Sequence, residues 1–364
     1  MGVVHRTLWW CVGLGGLLLI SMLASAAIGP VRIHPYTVLL ATLNLLQFPN
    51  GLNGTQYQLP LLGRSITLLV PSFEPAFAFE VRQSHQAIVG TVRLPRIVLA
   101  AVVGCSLAAA GTVMQGFFRN ALADPSIIGV STGAAAGAVA AIAFPLLVPV
   151  SLHVAAFVGA VGTAFLVYAI ATEGGRTPVA TLLLAGIAVQ AFLGAAIAYM
   201  MLHSGEGIRA AVVWLMGHLH NSAWSDVAFA APVVLLGVLV LGAYTREMNV
   251  LLLGEEDAHY LGIEVERTKL ILLTVSSVIA AAGVAVAGVI GFVGLVVPHI
   301  MRLIVGPDHR ILLPTSALAG ASFLVATDTF ARAGPAEVPV GIVTAALGAP
   351  FFLYLLKRRE VYAL

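Results

Sequence analysis

Charge is what this 364-residue chain has least of: Asp, Glu, Lys and Arg together make up 9% of it, against about 25% in an ordinary soluble domain. With 60% of residues hydrophobic, there is too little polar surface to cover a water-facing exterior, which excludes a soluble globular protein. The formal net charge of +2 excludes a nucleic-acid binder, whose affinity would rest on many cationic contacts to phosphate. Only two cysteines occur, Cys11 and Cys105. Both lie in apolar runs without a CxxC partner, so neither a disulfide framework nor a metal site is built on them. Lysine is equally scarce. The phosphate-cradling GxxxxGK[ST] loop needs Lys directly after Gly, whereas Lys269 follows Thr268 and Lys357 follows Leu356, which excludes that ATPase site from the chain. The 37 glycines show no Gly-X-Y period, so collagen is excluded too.

What is present is long apolar sequence. Stretches free of Asp, Glu, Lys and Arg run 7–31, 97–118, 125–172, 177–205, 227–245, 270–301, 311–327 and 338–356. A spanning helix needs about 20 mostly apolar residues. The stretch 125–172 is too long for one helix, and Pro145, Pro149 and Ser151 mark the turn that divides it. The stretch 270–301 breaks at Gly288, Gly291 and Gly294 into a full span and a shorter one. Backbone groups in hydrocarbon must be bonded internally, and these runs lack the two-residue alternation of barrel strands. The expectation is an all-α polytopic membrane protein of ten transmembrane helices. Its small residues, such as Gly133, Gly137, Gly159 and Gly162, allow close helix approach.

Lys and Arg in short loops set orientation. With the N-terminus inside, the inner side holds Arg6, Arg119, Arg176, Arg246, Arg267, Lys269, Arg302, Arg310, Lys357, Arg358 and Arg359, against Arg209 and Arg332 in short outer loops. Both termini are therefore expected in the cytoplasm. Leu23-Ala-Ser-Ala-Ala27 has the form of a cleavage site, but the preceding apolar run from Thr7 to Ile28 exceeds a signal peptide's apolar region of about 7–15 residues, so a retained helix is expected. The whole chain, 1–364, reads as one transmembrane domain with residues 29–90 as an extended external loop that includes a short helix.

No assigned span has Asp, Glu, Lys or Arg at its middle, which leaves a proton relay poorly supported. A sodium site made of backbone carbonyls would leave no such mark. Energy for uphill transport would then have to come from another subunit. The segment 247–266 carries six of the sixteen acidic residues, with Ala258, Leu261 and Gly262 interleaved among Glu255, Glu256 and Asp257. It reads either as a solvated acidic loop or as a short helix docking onto a partner.

Several stretches together resemble the permease subunits of bacterial iron-siderophore, haem and vitamin B12 ABC importers, the type II importers. They are Arg93-Leu-Pro-Arg96 leading into Gly104-Cys-Ser-Leu-Ala-Ala-Ala-Gly111, Asn120-Ala-Leu-Ala-Asp-Pro125 and Gly129-Val-Ser-Thr-Gly-Ala134; Leu253-Gly-Glu-Glu-Asp-Ala-His-Tyr-Leu-Gly262; and Gly288-Val-Ile-Gly-Phe-Val-Gly-Leu-Val-Val-Pro-His299 through Asp308, Gly320, Asp328, Arg332 and Glu337 to Pro339-Val-Gly-Ile342 and Gly348-Ala-Pro350. The likeness covers about residues 90–357. It implies a ten-helix permease, multi-pass in the bacterial cell (inner) membrane, pairing with a second copy of itself. It also implies two ATP-binding cassette subunits that bind ATP and Mg, an external substrate-binding protein, and a metal-chelate substrate. No cofactor, metal or catalytic residue is implied for this chain.

By resemblance, Arg93, Arg96 and Arg332 would receive carboxylates of the binding protein, with Glu337 orienting or neutralising Arg332. Asn120 and Leu122 would form one cytoplasmic gate and Thr177 the second. Glu255, Glu256, Asp257, Ala258, Leu261 and Gly262 would form the coupling helix in a cleft of the ATPase. The family's Asn-Pro-Leu-Ala reads Asn120-Ala121-Leu122-Ala123 here, so the φ constraint of proline is missing from that gate loop. Arg302, Asp308 and Arg310 fall on the same side as ordinary cytoplasmic charges. His34, His85, His203, His218 and His220, with Tyr199 and Met200, are the outward residues able to ligate haem iron. A stand-alone secondary carrier or channel for a small solute is the alternative, and a membrane-embedded enzyme a distant third, since no ligand or triad cluster lies in the spans.

Overall fold

The computed structural model describes residues 2–29, 31–59, 64–334 and 336–358. Helix α1 (Val3–Ala27) and the short α2 (Pro35–Leu43) are followed by a ribbon of β1 (Gln47–Leu59) and β2 (Arg64–Pro75). Helix α3 (Gln83–Ala87) continues through a π-helical stretch, Ile88–Arg93, into α4 (Leu94–Phe117). Then come α5 (Val130–Ala143), α6 (Leu152–Ala171), α7 (Val179–Leu202), α8 (Ile208–Leu215) and α9 (Trp224–Ala243). The short α10 (Thr245–Leu251) and α11 (Glu255–Tyr260) precede α12 (Val265–Ala287), α13 (Val293–Val305), α14 (His309–Ala331) and α15 (Val340–Arg358).

Seven of these helices are long and apolar enough to cross a bilayer: α1, the continuous Gln83–Phe117, α6, α7, α9, α12 and α14. Helices α5, α13 and the apolar part of α15 are shorter. At 1.5 Å per residue, the 14 residues of α5 reach only about 21 Å, less than the roughly 30 Å of hydrocarbon. Each charge-free stretch of the sequence holds one of these ten helices, or two where a break was read. The Pro145–Ser151 break is real: α5 ends at Ala143, and Ser151 Oγ accepts the Val154 N–H at 3.3 Å to start α6. The glycine break is real as well, with Gly288 at φ 71° after α12 and Phe292 at φ 67° before α13.

Two features depart from the sequence reading. The second long helix begins at Gln83, well before the charge-free stretch at 97, so Arg93 and Arg96 lie within a helix and not ahead of it. Pro95 has no N–H to give the carbonyl four residues back, and the turn widens just before it, with the Leu94 N–H reaching Val89 O. The 29–90 segment carries, besides α2, an antiparallel ribbon running from the pair Gln47–Pro75 to the pair Leu59–Arg64, with a register shift between Pro49 and Gly51.

The core is a trio of helices. Helix α4 is buried along most of its length against α14, α12, α13 and α9, and α12 and α14 are largely buried too. Outer helices turn large apolar residues outward, among them Leu19 and Ile20 of α1, Leu184 and Phe192 of α7 and Leu239 of α9. Small residues inside and large ones outside is the arrangement lipid selects, because helix association there rests on close packing. At the α4–α14 crossing Gly104 and Gly320 lie backbone to backbone, and a Cβ on Gly104 would collide with the Gly320 carbonyl oxygen. Gly111 of α4 meets Gly294 of α13 in the same way.

Candidate functional site

The sequence-derived residues gather at the two ends of the bundle. Arg6, near the start of α1, donates to Val305 O at 3.1 Å, and Ser25, near its end, is held by Arg332. The 25-residue α1 therefore separates the two ends by about 37 Å.

At the α11 end, Gly254 at φ 130° starts the helix and Gly262 at φ 84° ends it. Ala258 is buried, while Leu253, Tyr260 and Leu261 are exposed. The segment is a short helix seated on the bundle through Ala258, with Glu256, Asp257, His259 and Tyr260 exposed and Leu253 and Leu261 flanking it. Its anchor is Lys269 of α12, only 3% exposed, whose Nζ lies 3.1 Å from Glu255 Oε1 and 3.1 Å from Glu266 Oε1. The same Nζ donates to Thr177 O at 2.7 Å, and the Thr177 N–H donates to Glu266 Oε2 at 3.1 Å. One buried ammonium ties together α11, α12 and the 172–178 turn. Sequence reading placed Lys269 only among the inner-side charges.

The Asn120 loop is held without proline. Asn120 Oδ1 accepts the Leu122 N–H at 2.9 Å, the Asn120 N–H reaches Gln115 O at 3.1 Å, and Arg119 sits at φ 45°. Hydrogen bonds replace the ring constraint that Ala121 lacks, which answers the doubt over this loop's rigidity. Asn120 is exposed and Leu122 half-exposed. Thr177 faces no opening: it is buried, and its hydroxyl pairs with that of Thr172 at 2.9 Å. A second gate at this turn could not act through the Thr177 side chain.

Nearby, Asp308 Oδ1 caps α14 by accepting from Arg310 N at 3.0 Å, and it also accepts from Asn249 Nδ2 at 2.8 Å. The bonds from the Arg310 guanidinium, and then that from Asn249, hold its carboxyl down at about 2. Asp308 is thus a structural cap. Arg302 is buried, and both its terminal nitrogens lack a hydrogen-bond partner among the described residues. Arg359 lies outside the described residues.

At the opposite end the three arginines converge. Arg96 Nε and Nη2 grip Asp328 at 2.7–3.1 Å, and Arg332 Nε lies 3.3 Å from the other oxygen of that carboxylate. Arg332 also donates to Ser25 O at 2.7 Å and Ile28 O at 3.0 Å. Arg93 is buried and donates to the carbonyls of Ala26 and Val31. Asp328, 1% exposed, is the acceptor that sequence reading passed over, and Glu337 pairs with Arg96 at 2.6 Å where Arg332 had been expected. The signal for Asp328 was available, since an acid four residues before Arg332 shares its helix face.

The haem-ligand residues form separate groups. His218 and His220 lie with ring centroids 4.1 Å apart, and Tyr199 and His203 at 4.4 Å, while His34 caps α2 and His85 lies in α3. His218 and His220 line a cavity of about 630 Å³ with His153, Glu206, Arg209 and Trp214. Burial first, and then the neighbouring His220, push His218 down to about 4, so its imidazole is neutral at physiological pH.

The profile of the FecCD transport family matches residues 17–358. The chain belongs to that family. It is 57% identical over 363 residues to the cobalamin import system permease protein BtuC of Halobacterium salinarum, covering 99% of this chain and 98% of the relative. It is 45% identical to the hemin transport system permease protein HmuU of Yersinia pestis, over 74% of this chain and 83% of that protein. A solved structure of a metal-chelate type ABC transporter in an inward-facing conformation superposes with a TM-score of 0.76 at 29% identity, covering 96% of this chain and 98% of the other. Membership makes the chain a multi-pass membrane transport subunit. The family also implies ATPase partners and a substrate-binding protein.

Proposed function

We propose that this chain is the membrane-embedded permease of an ATP-driven importer for a bulky metal chelate, acting as a homodimer with two ATP-binding cassette subunits. In this reading all ten apolar helices cross the cell (inner) membrane with both termini in the cytoplasm. Residues 247–266 form the coupling segment and 29–90 an external segment. The observation that carries it is α11: a short helix pinned by buried Lys269, with Leu253, Tyr260 and Leu261 turned outward. Exposed apolar side chains on a charged helix end have no use in water and fit a partner's cleft. ATP and Mg belong to that partner, since the chain has no lysine placed to cradle phosphate.

The mechanism follows from the connections. Closure of the ATPase pair pushes α11; Lys269 passes the displacement to α12 and to the 172–178 turn; α12 packs on α4, which carries the Asn120–Leu122 gate loop at one end and Arg96 at the other. Movement of packed helices as rigid bodies fits such a core, whose interfaces are bistable and not continuously deformable. At the outer end Arg93, Arg96 and Arg332 form the landing place for carboxylates of the binding protein, a role guanidinium forks suit. The first cargo to test is cobalamin, with haem next; the neutral imidazole of His218 in the cavity it shares with His220 would suit a chelate with an open axial position.

The test is uptake by the reconstituted assembly with cobalamin, haem and a panel of ferric siderophores, alongside the chain alone under sodium and proton gradients. ATP-dependent uptake of one chelate by the assembly is expected. Uphill uptake by the chain alone would establish the secondary-carrier alternative instead.

A further inference from the structure

The arginine cluster at the α1–α14 end raises a question that its hydrogen bonds answer: which N–H groups can an incoming carboxylate take? Arg93 spends its guanidinium on the carbonyls of Ala26 and Val31. Arg332 spends its own on Ser25, Ile28 and Asp328. Nε and Nη2 of Arg96 are committed to Asp328, which at 1% exposure cannot leave without stranding two buried cations. On Arg96 itself the remaining nitrogen is Nη1, and it is already occupied, at 2.6 Å, by Glu337.

Glu337 differs from Asp328 in every respect that governs exchange. Its side chain is 45% exposed, it lies on the 332–339 connection between α14 and α15, and its only described side-chain partner is Arg96. A half-exposed ion pair of this sort is worth about 0–1 kcal/mol, so displacing it costs little. At the same end a recess of about 570 Å³, lined by Ile28, Arg32, Ile33 and Arg332, shares Arg332 with the cluster. Arg32, Arg93, Arg96 and Arg332 face only Asp328 and Glu337 here, which leaves a surplus of two positive charges toward the outside.

We propose that Glu337 is a built-in stand-in for the docking carboxylate. It holds Arg96 Nη1 while the permease is alone, and it is displaced when an acidic side chain of the external binding protein reaches Arg96 from the side that Glu337 leaves exposed. The inference rests on the docking role given to this cluster above and goes beyond it in assigning an internal competitor. In the free permease Glu337 keeps Arg96 oriented and its charge compensated. On docking, the same donor passes to the partner, and Glu337 turns to solvent.

The consequence is a variant that improves binding. The experiment measures the affinity of the full binding protein used in the uptake assay for the reconstituted permease–ATPase assembly, with wild type, E337Q, R96Q and the double variant. Glu337 is half-exposed and E337Q preserves its shape, so this variant folds. The expected result is a Kd about 2–5-fold tighter for E337Q, at least tenfold weaker for R96Q, and no tightening by E337Q in the R96Q background. Unchanged or weakened binding by E337Q, with R96Q weakened, overturns the stand-in and leaves the docking role standing. Tightening that persists in the double variant also overturns it, because the effect is then net charge alone. Unchanged binding by R96Q overturns the docking role itself. Should R96Q fail to assemble with its ATPase, the salt dependence of wild-type docking makes that last decision: affinity that does not fall with rising salt overturns the role.

Discussion

Replacing Lys269 by Met removes the ammonium and keeps most of the stem, which isolates what the charge does. Three interactions are lost: those to Glu255 and Glu266 at 3.1 Å each and that to Thr177 O at 2.7 Å. Stripping one partner from a buried ion pair costs about 3–5 kcal/mol when the other charge is left stranded. Here it is not, because Glu255 and Glu266 are 41% and 33% exposed and regain water. The Thr177 carbonyl is the acceptor left dry, at about 1–3 kcal/mol. The net loss is therefore about 2–3 kcal/mol, a shift of a few degrees in thermal unfolding in detergent. The functional loss is expected to be larger, since α11 then keeps only its Ala258 face and its flanking glycines to transmit a push. In proteoliposomes, K269M is expected to retain ATPase subunits and hydrolysis while chelate uptake per ATP falls at least tenfold, with K269R partly restoring it. Uptake per ATP equal to wild type in an assembled K269M complex would refute the connection drawn through Lys269.

Gly262→Val places a β-branched residue at φ 84° beside α11; it is expected to cost about 1–2 kcal/mol and to lower ATPase co-purification, and normal uptake by this variant would remove α11 from coupling. Gly104→Ala drives a methyl against the Gly320 carbonyl and should destabilise the bundle by about 1–3 kcal/mol, whereas Gly15→Ala, with open space around it, should be neutral or slightly stabilising; thermal unfolding of the pair in one detergent checks both. Asp308 has a carboxyl held down at about 2, against about 3.9 in an unfolded chain, so its contribution is full above pH 4 and is lost as pH falls through about 2. Asp308→Asn keeps a competent cap but removes the charge from the Arg310 guanidinium bonds, which should cost about 0.5–1 kcal/mol at neutral pH and flatten that acid limb, read as unfolding temperature against pH.

Much of the bundle was legible because lipid imposes a strict rule: a helix in hydrocarbon must be long and uncharged, so walking between charges locates it. Breaks were legible where proline and serine or clustered glycines interrupt a run, as at Pro145–Ser151 and Gly288. The ribbon was not. Its strands fall in the stretch read as a loop, where Gly51 and Gly54 interrupt any apolar alternation yet lie within β1 beside a register shift. Arg93 and Arg96 were legible as an outer-end pair but not as helical residues, because a charge-based walk stops at the first arginine, whereas α4 satisfies its arginines inside the fold. The Arg96 pairings with Asp328 and Glu337 were missed because they span more than 200 residues and leave no periodic trace. Lys269 was missed because its contact with Thr177 joins α12 to a turn 92 residues away, although Glu266 lies three residues before it.

The two ends are joined through packing and not through a chain of polar side chains. Among the described contacts, no ion pair links the Lys269 network to the Arg96 network; what connects them is the packing of α12 on α4, where Gly283 lies against the Ser106 side chain, and the α4–α14 crossing, where Gly104 lies against the Gly320 backbone. Such close crossings leave little room to compress, so displacement of α12 at its Lys269 end is passed to α4 as a unit. A lever of that kind needs no conserved wire of residues between its ends. It requires instead that both ends be fastened firmly to the core, which is what a 97%-buried lysine under α11 and a nearly fully buried aspartate under Arg96 provide.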